Sequence, residues 1–247
     1  MIPLKSKADL KMLKHSGEIL AWVMRKVSGA IKPGITTADI DRLSEELILK
    51  KKATPAFKGY RGFPATACVS VNEEIVHGIP SGKVLGEGDI VSVDLGVNFQ
   101  GYFSDMALTF PIGKIDQQKA KLIEVTKKSL EQGIQMARPG NYLTDISHSI
   151  QSFVEREGFA VVRQFVGHGI GSALHEEPEV PNFGPPRMGP LLESGMVLAI
   201  EPMVNAGSWQ CRILENGWTA VTKDGLASAH FEHTIAITDK GPVILTQ

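Results

Sequence analysis

Ile31-Lys32-Pro33-Gly34 and Ala137-Arg138-Pro139-Gly140 are the stretches that decide the fold. Each stands between a long amphipathic pattern and a second helical pattern, which begins near Asp39-Ile40 in one case and Asp145-Ile146 in the other. The offset is constant: 139 − 33, 140 − 34, 145 − 39 and 146 − 40 all equal 106, and Leu47-Ile48 continues the match at Phe153-Val154. Ahead of the first Pro-Gly, Leu10, Leu13, Leu20, Met24, Val27 and Ile31 follow the three-and-four spacing of a buried helical stripe. Leu122, Val125, Leu130, Ile134 and Ala137 do the same ahead of the second. Each Pro-Gly is expected to stop its helix as a C-terminal glycine and following turn do. Strand-like sequence comes after each helix pair, at 66–77 and 90–110, then at 160–168, 196–204 and 229–238. Two helices followed by strands, twice over, predict an α+β fold of two similar halves, about 6–115 and 116–247, facing each other across a pseudo-twofold axis. The whole of 1–247 is then one domain, and the seam between its copied halves is a natural place for a central site.

Composition narrows what such a fold is for. The chain has 247 residues, 43% hydrophobic and 21% charged, values that exclude a disordered or collagen-like protein. Its 26 basic and 27 acidic residues leave a formal charge of −1, without the basic excess that nucleic-acid binding demands. No apolar run reaches the length of a membrane span, and Met1-Ile2-Pro3-Leu4-Lys5-Ser6-Lys7 lacks a signal peptide's apolar centre. Two cysteines, Cys68 and Cys211, indicate a reducing compartment rather than a disulfide scaffold. A cytoplasmic location is the expectation.

Residues 90–110 then raise an electrostatic problem. Val91, Val93, Leu95 and Val97 alternate with Ser92, Asp94, Gly96 and Asn98, a strand with one apolar face, and Tyr102 to Phe110 reads as its antiparallel return. A turn centred between Phe99 and Gln100 places Asp94 opposite Asp105, Val93 opposite Met106 and Val91 opposite Leu108. The aspartate Cβ atoms would then stand ~4.5–5.5 Å apart. Two carboxylates so placed repel unless one is protonated or a cation lies between them; the alternatives are a displaced turn or a pair facing water. Two further strand-borne acids favour the cation. Glu201 closes the apolar run Met196–Ile200 ahead of Pro202, and 201 − 94 is 107, close to the repeat offset. Glu232 sits in the alternating stretch Ala229 to Ile237. With His168 in Gly167-His168-Gly169-Ile170-Gly171, where glycines admit close backbone approach, four carboxylates and an imidazole suffice to neutralise two divalent ions. Oxygen-rich ligands of this kind suit manganese, iron or cobalt, with zinc also open.

In that order and in those contexts, Asp94, Asp105, His168, Glu201 and Glu232 resemble the dinuclear metal set of the methionine aminopeptidases, in the short bacterial type I form of peptidase family M24. Val71-Asn72-Glu73-Glu74-Ile75-Val76-His77-Gly78-Ile79-Pro80 and His175-Glu176-Glu177-Pro178 are similar to the same family's signature, and the likeness runs from Ser6 to Thr246. The resemblance implies the pita-bread fold of the creatinase and aminopeptidase group, with the metal site between the halves. It implies hydrolytic removal of an initiator methionine, preferably ahead of a small uncharged residue, by a water or hydroxide shared by the two ions. Asp105 and Glu232 would bridge them, Asp94 would hold one, and His168 with Glu201 the other. Glu201 would also be the general base, His175 would stabilise the oxyanion, and His77 would contact the substrate backbone. Tyr60, Phe63, Cys68, Leu174 and Trp218 would line the methionine pocket, Leu174 standing where some members carry an aromatic.

The implied partners are N-terminal methionyl peptides and nascent chains, with room for a transient ribosome contact, for a monomer with no specific nucleic acid and no membrane. An aminopeptidase of the same fold acting on X-Pro peptides, or a non-catalytic binding protein on this scaffold, is the competing expectation. His175-Glu176-Glu177 is not a zinc-protease helix, because Pro178 breaks it and position 179 is Glu. His15, His148, His230 and His233 read as structural, and the proline-rich stretch from Pro178 to Pro190 as a wall near the cleft.

Overall fold

A computed structural model describes residues 2–247. The first half comprises helices α1 (Lys7–Ser28) and α2 (Thr37–Lys50) and strands β1 (Thr54–Pro55), β2 (Ala67–Val71), β3 (Glu74–Val76), β4 (Ile90–Phe99) and β5 (Tyr102–Pro111). The second begins with α3 (Gln117–Met136) and α4 (Leu143–Arg156), then β6 (Ala160–Val161), β7 (Gly167–Gly169), β8 (Glu176–Val180) and β9 (Val197–Ile200). It continues through β10 (Met203–Asn205), β11 (Cys211–Ile213), β12 (Ala220–Thr222), β13 (Ser228–His230), β14 (His233–Thr238) and β15 (Gly241–Ile244).

Helices α2 and α4 match residue for residue at the predicted offset, since 143 − 37 and 156 − 50 both equal 106. The apolar stripes are where the spacing puts them: Leu13, Leu20, Met24 and Val27 are buried on α1, and Leu122, Val125, Leu130 and Ile134 on α3. Pro-Gly does not cap these helices, however. Helix α1 ends at Ser28 and α3 at Met136, and each Pro-Gly forms the middle of the turn that follows. Gly34 and Gly140 have φ of 92° and 89°, and the Ile35 and Asn141 amides bond back to the Lys32 and Arg138 carbonyls at 3.3 and 3.2 Å. That is the geometry of a type II turn, in which proline fixes the first central residue and glycine supplies the positive φ of the second. The same turns anchor each helix pair to its strands. The Gly34 amide donates to Leu85 and that of Gly140 to Leu192, at 2.8 and 3.0 Å. Here the offset is 192 − 85, or 107, so one residue has been added on the way.

Strand β4 is the spine of the first half, paired with β1, β2 and β5, while β9 lies within the order β15-β14-β9-β7-β8 of the second. Side-chain hydroxyls weld the halves. Thr234 Oγ1 accepts from the Asp105 amide at 2.9 Å and donates to the Asp105 carbonyl at 2.8 Å. Thr109 Oγ1 does the same for the backbone of His230, and the Glu232 amide donates to the Ala107 carbonyl at 2.8 Å. Strand β5 and the stretch from His230 to Thr234 therefore run antiparallel along the seam. The cores are shared as well: Leu13, Phe57 and Cys68 pack with Ile170, Val197 and Leu245.

Candidate metal centre

The aspartates meet, though not in the predicted register. Phe99 pairs with Tyr102, so the turn is the two-residue Gln100-Gly101, with φ of 52° and 86°, not one centred a residue earlier. Both positive φ values mark the type I′ hairpin turn, whose twist fits that of the flanking strands. Asp94 consequently faces Ala107, and Asp105 faces Gly96; likewise Val93 pairs with Leu108 and Val91 with Phe110. The slip is by two residues, which preserves the face of the sheet, so the carboxylates become diagonal neighbours still within reach. Gly96 has its own role: a Cβ there would sit 2.5 Å from Phe57 Cε1, so its absence lets Phe57 pack on β4.

Glu201 and Glu232 occupy interruptions rather than the interior of strands. Glu201-Pro202 separates β9 from β10, which belongs to another sheet, and Phe231-Glu232 separates β13 from β14 in the same manner. Proline cannot continue a ladder, so the chain leaves its sheet at Glu201 and the side chain turns into the seam. Asn182, fully buried, secures that exit by donating its Nδ2 to the Glu201 carbonyl at 3.1 Å. His168 lies in the middle of β7, between two glycines that have no room for a side chain. A Cβ on Gly167 would stand 2.3 Å from the Ala199 oxygen, and one on Gly169 2.1 Å from that of Glu177. His168 Nδ1 donates to the Gly169 carbonyl at 2.9 Å, which leaves Nε2 as the lone-pair nitrogen. That nitrogen faces Asp105 Oδ2 at 3.8 Å and Glu201 Oε1 at 3.6 Å.

Electrostatically the cluster is unfinished. Burial pushes the Asp94, Glu201 and Glu232 carboxyls well above the usual range, with the neighbouring acids adding to the shift. Asp105 is raised to about 7, chiefly by burial, while His168 falls to about 4 for the same reason. Asp94 Oδ1 and Glu232 Oε1 are buried without a hydrogen-bond partner, and no Lys or Arg among the described residues pairs with any of the four acids. Unpaired buried carboxylates of this density fit a bound cation, since charge in a low-dielectric seam needs compensation. Donor atoms converge in two groups, Asp105 with His168 and Glu232, and Glu201 with His230 and Glu232. Asp94 lies outside both, beside Asp105.

His230 is thus no mere structural histidine. It is buried, its Nε2 is 3.4 Å from Glu201 Oε2, and that nitrogen has no hydrogen-bond partner. The sequence signal available was its position two residues before Glu232. His233, in contrast, bonds through Nδ1 to Thr246 Oγ1 at 2.9 Å, as a structural histidine does.

Directly against the cluster opens a cavity of about 290 Å³, lined by all five predicted ligands and by His77, His175, Tyr60, Phe63, Cys68, Leu174 and Trp218. Tyr60 stacks on His175 at 5.2 Å, and its hydroxyl is 3.0 Å from His175 Nδ1. The His175 and His168 rings lie 4.2 Å apart, Trp218 meets Phe63 edge-on at 5.2 Å, and Cys68 pairs with Asp94 across β2 and β4. Burial depresses His175 to about 3 and also lowers His77, which keeps both neutral near pH 7. Phe57, Arg61, Val76, Gln164, Phe165, Val166 and Met203 also line the cavity and had no motif to announce them. The proline-rich stretch lies near the cleft, through Asn182 against Glu201, without lining the cavity itself. None of Pro178 to Pro190 lines the cavity; the stretch packs on α4, the Ser147 hydroxyl bonding the Pro181 carbonyl and Thr144 the Met188 carbonyl.

Donors gathered at the seam of a duplicated α+β scaffold, beneath an aromatic pocket, define a metal-dependent hydrolase. The chain belongs to metallopeptidase family M24, whose family model matches residues 11–239. It is 54% identical over 247 residues, 100% of this chain and 99% of the other, to the methionine aminopeptidase of Clostridium acetobutylicum. Among solved structures it superposes on the methionine aminopeptidase of Thermotoga maritima with a TM-score of 0.99 at 49% identity, covering 100% of both chains. The prolidase of Pyrococcus horikoshii, at 23% identity, shares the fold alone, with a TM-score of 0.81 over 99% of this chain and 63% of that one. The architecture is therefore the pita-bread fold that the resemblance implied.

Proposed function

We propose that this chain removes the N-terminal methionine from peptides and nascent proteins, preferring a small uncharged second residue. The observation that carries the proposal is the shared cavity: one apolar, aromatic-walled slot whose wall is also the five-donor cluster. A thioether side chain suits such a slot, since its polarisable sulfur packs favourably at aromatic edges. The X-Pro alternative rests on a fold shared at 23% identity, and a non-catalytic role fits poorly with a complete donor set.

Asp105 and Glu232, on the seam, would be shared by two divalent ions; Asp94 would complete one site, and His168 with Glu201 the other. His230, against Glu201, supports the latter carboxylate. Cobalt, manganese, iron and zinc all suit this donor chemistry. The chemistry that bound ions supply is Lewis-acid activation of a water and of the scissile carbonyl. Glu201 takes the proton of the attacking water on its carboxylate and delivers it to the leaving amine. His175 is neutral, and with Nδ1 accepting from the Tyr60 hydroxyl its Nε2–H is left to donate to the carbonyl oxygen as negative charge develops. His77 lies on a loop at φ 58° and binds the peptide backbone beside the scissile bond. Met-Gly-Met should be hydrolysed by the metal-loaded protein and an X-Pro tripeptide left intact; the reverse preference would overturn the proposal.

Cytoplasmic residence is supported by two free cysteines, Cys68 buried and Cys211 partly so. No helix among the described residues is long and apolar enough to cross a membrane. Cores shared across the seam support a single domain over 1–247, and the substrate a transient ribosome contact.

A further inference from the structure

The cavity's mouth carries a charge that the proposed chemistry does not use. Arg61 lines the cavity from the short helical turn Tyr60–Gly62, and it is exposed. Its own φ is 48°, and glycines at φ 85° and 89° precede the turn at position 59 and end it at position 62. A non-glycine residue held in the left-handed region has little conformational freedom, so the direction in which Arg61 leaves the turn is fixed. The guanidinium lies 5.4 Å from the Tyr60 ring centroid, and among the described residues no carboxylate pairs with it and no hydrogen bond holds it. The nearby Arg163 differs, lying over the rings of Phe183 and Trp209 instead of lining the cavity.

The remaining charges around the cavity leave Arg61 alone. Apart from Asp94, Asp105, Glu201 and Glu232, it is the one charged residue of the lining that is not a histidine. Two divalent ions would neutralise those four acids, which leaves the guanidinium as the permanent charge of the lining. Arg61 is close enough to His175 to help depress its basicity, after burial and His168. A lone cation beside low-dielectric walls focuses its field into the cleft.

We propose that Arg61 is a specificity-determining residue that selects methionyl chains with an acidic third residue and disfavours those with a basic one. This rests on the methionyl aminopeptidase function proposed above. The aromatic slot takes the methionine, a small second residue has no reach, and the third side chain is the first able to meet the guanidinium at the mouth. A solvent-exposed ion pair is worth a factor of about two to five, so the spread between an acidic and a basic third residue should be on the order of tenfold in kcat/KM. High salt should compress it, because about 1 M salt screens charges beyond ~3 Å.

The test uses metal-loaded enzyme and the peptide amides Met-Ala-Glu-Gly-NH2, Met-Ala-Gln-Gly-NH2 and Met-Ala-Lys-Gly-NH2, whose free N-terminal amine and blocked C-terminus are common to all three and leave the third residue as the variable charge. The expected order of kcat/KM is Glu, Gln, Lys, with the spread abolished in Arg61→Gln and retained in Arg61→Lys. Equal rates on all three peptides, or a spread unchanged in Arg61→Gln, would overturn the assignment. Failure to cleave the neutral glutamine peptide would instead refute the aminopeptidase function, so the two failures are distinguishable.

Discussion

The two halves of the molecule share a scaffold and divide the chemistry. In the first, Asp94 sits inside an uninterrupted ten-residue strand, braced by β2 on one side and β5 on the other. In the second, its counterpart Glu201 stands at the end of a four-residue strand, where Pro202 turns the chain into a different sheet. The side chains differ accordingly: a short carboxylate on a rigid ladder, and a longer one at a break, backed by Asn182 and His230. Duplication thus supplies a carboxylate from each side of the seam, and under the proposed function the divergence of the copies would separate a holding acid from one able to move a proton. The surroundings of the cavity diverge further, the first half giving Tyr60, Phe63 and His77, the second giving His168, His175 and Trp218.

Removing the charge from each of the two acids in turn should give two different outcomes. Glu201→Gln should lower kcat on Met-Gly-Met by at least about 10²-fold, the scale of general-base loss, and weaken one metal site. Asp94→Asn should act mainly through metal affinity, so that excess metal restores much of its rate while leaving Glu201→Gln inactive. Steady-state assays across a metal titration separate the two, and equal rescue of both would remove the division of labour.

A smaller effect concerns protons. Asp105 is raised to about 7, and Asp94, Glu201 and Glu232 are also raised, so the metal-free seam holds protons at neutral pH that its unfolded chain would not. Metal binding requires the charged forms; it should therefore release protons, and affinity should fall as pH drops from about 8 to about 6. Isothermal titration in buffers of different ionisation enthalpy measures the release, and a value of zero would contradict the raised carboxyls. In the metal-free protein these groups add stability at low pH that is lost as pH rises through their folded values. The depressed His168 and His175 oppose this below their ordinary range.

The smallest effects test whether the halves are equivalent as scaffold. Ile40 and Ile146 are related by the 106-residue offset and both are fully buried. Ile40→Val and Ile146→Val should each cost about 0.5–1.5 kcal/mol in chemical denaturation and leave kcat unchanged. Unequal costs would show that one half carries the stability of both.

Much of this architecture was legible in the chain because duplication leaves a signal at long range. The Pro-Gly turns, the aspartates at 39 and 145, and the stripes of α1 and α3 repeat at one offset, and helical periodicity is a local property that needs no partner to be read. Register was less legible. Asn98-Phe99-Gln100-Gly101 admits two turn centres, and the choice fell to Gln100-Gly101 because that pair takes the positive φ values of a tight hairpin. The breaks at Glu201 and Glu232 were hidden because Met196 to Ile200 and Ala229 to Ile237 both keep strand character, and sheet membership is settled by distant partners. His230 and Asn182 were missed for a related reason: their significance lies in contacts with Glu201, and no spacing encodes those.

Anomalous diffraction from crystals soaked in manganese or cobalt would decide whether the seam between the halves is a two-metal site. Two peaks are expected, both in contact with Asp105 and Glu232, one flanked by Asp94 and the other by His168 and Glu201. No peak at the seam, or metal bound without Asp105 and Glu232, would contradict a two-metal site there.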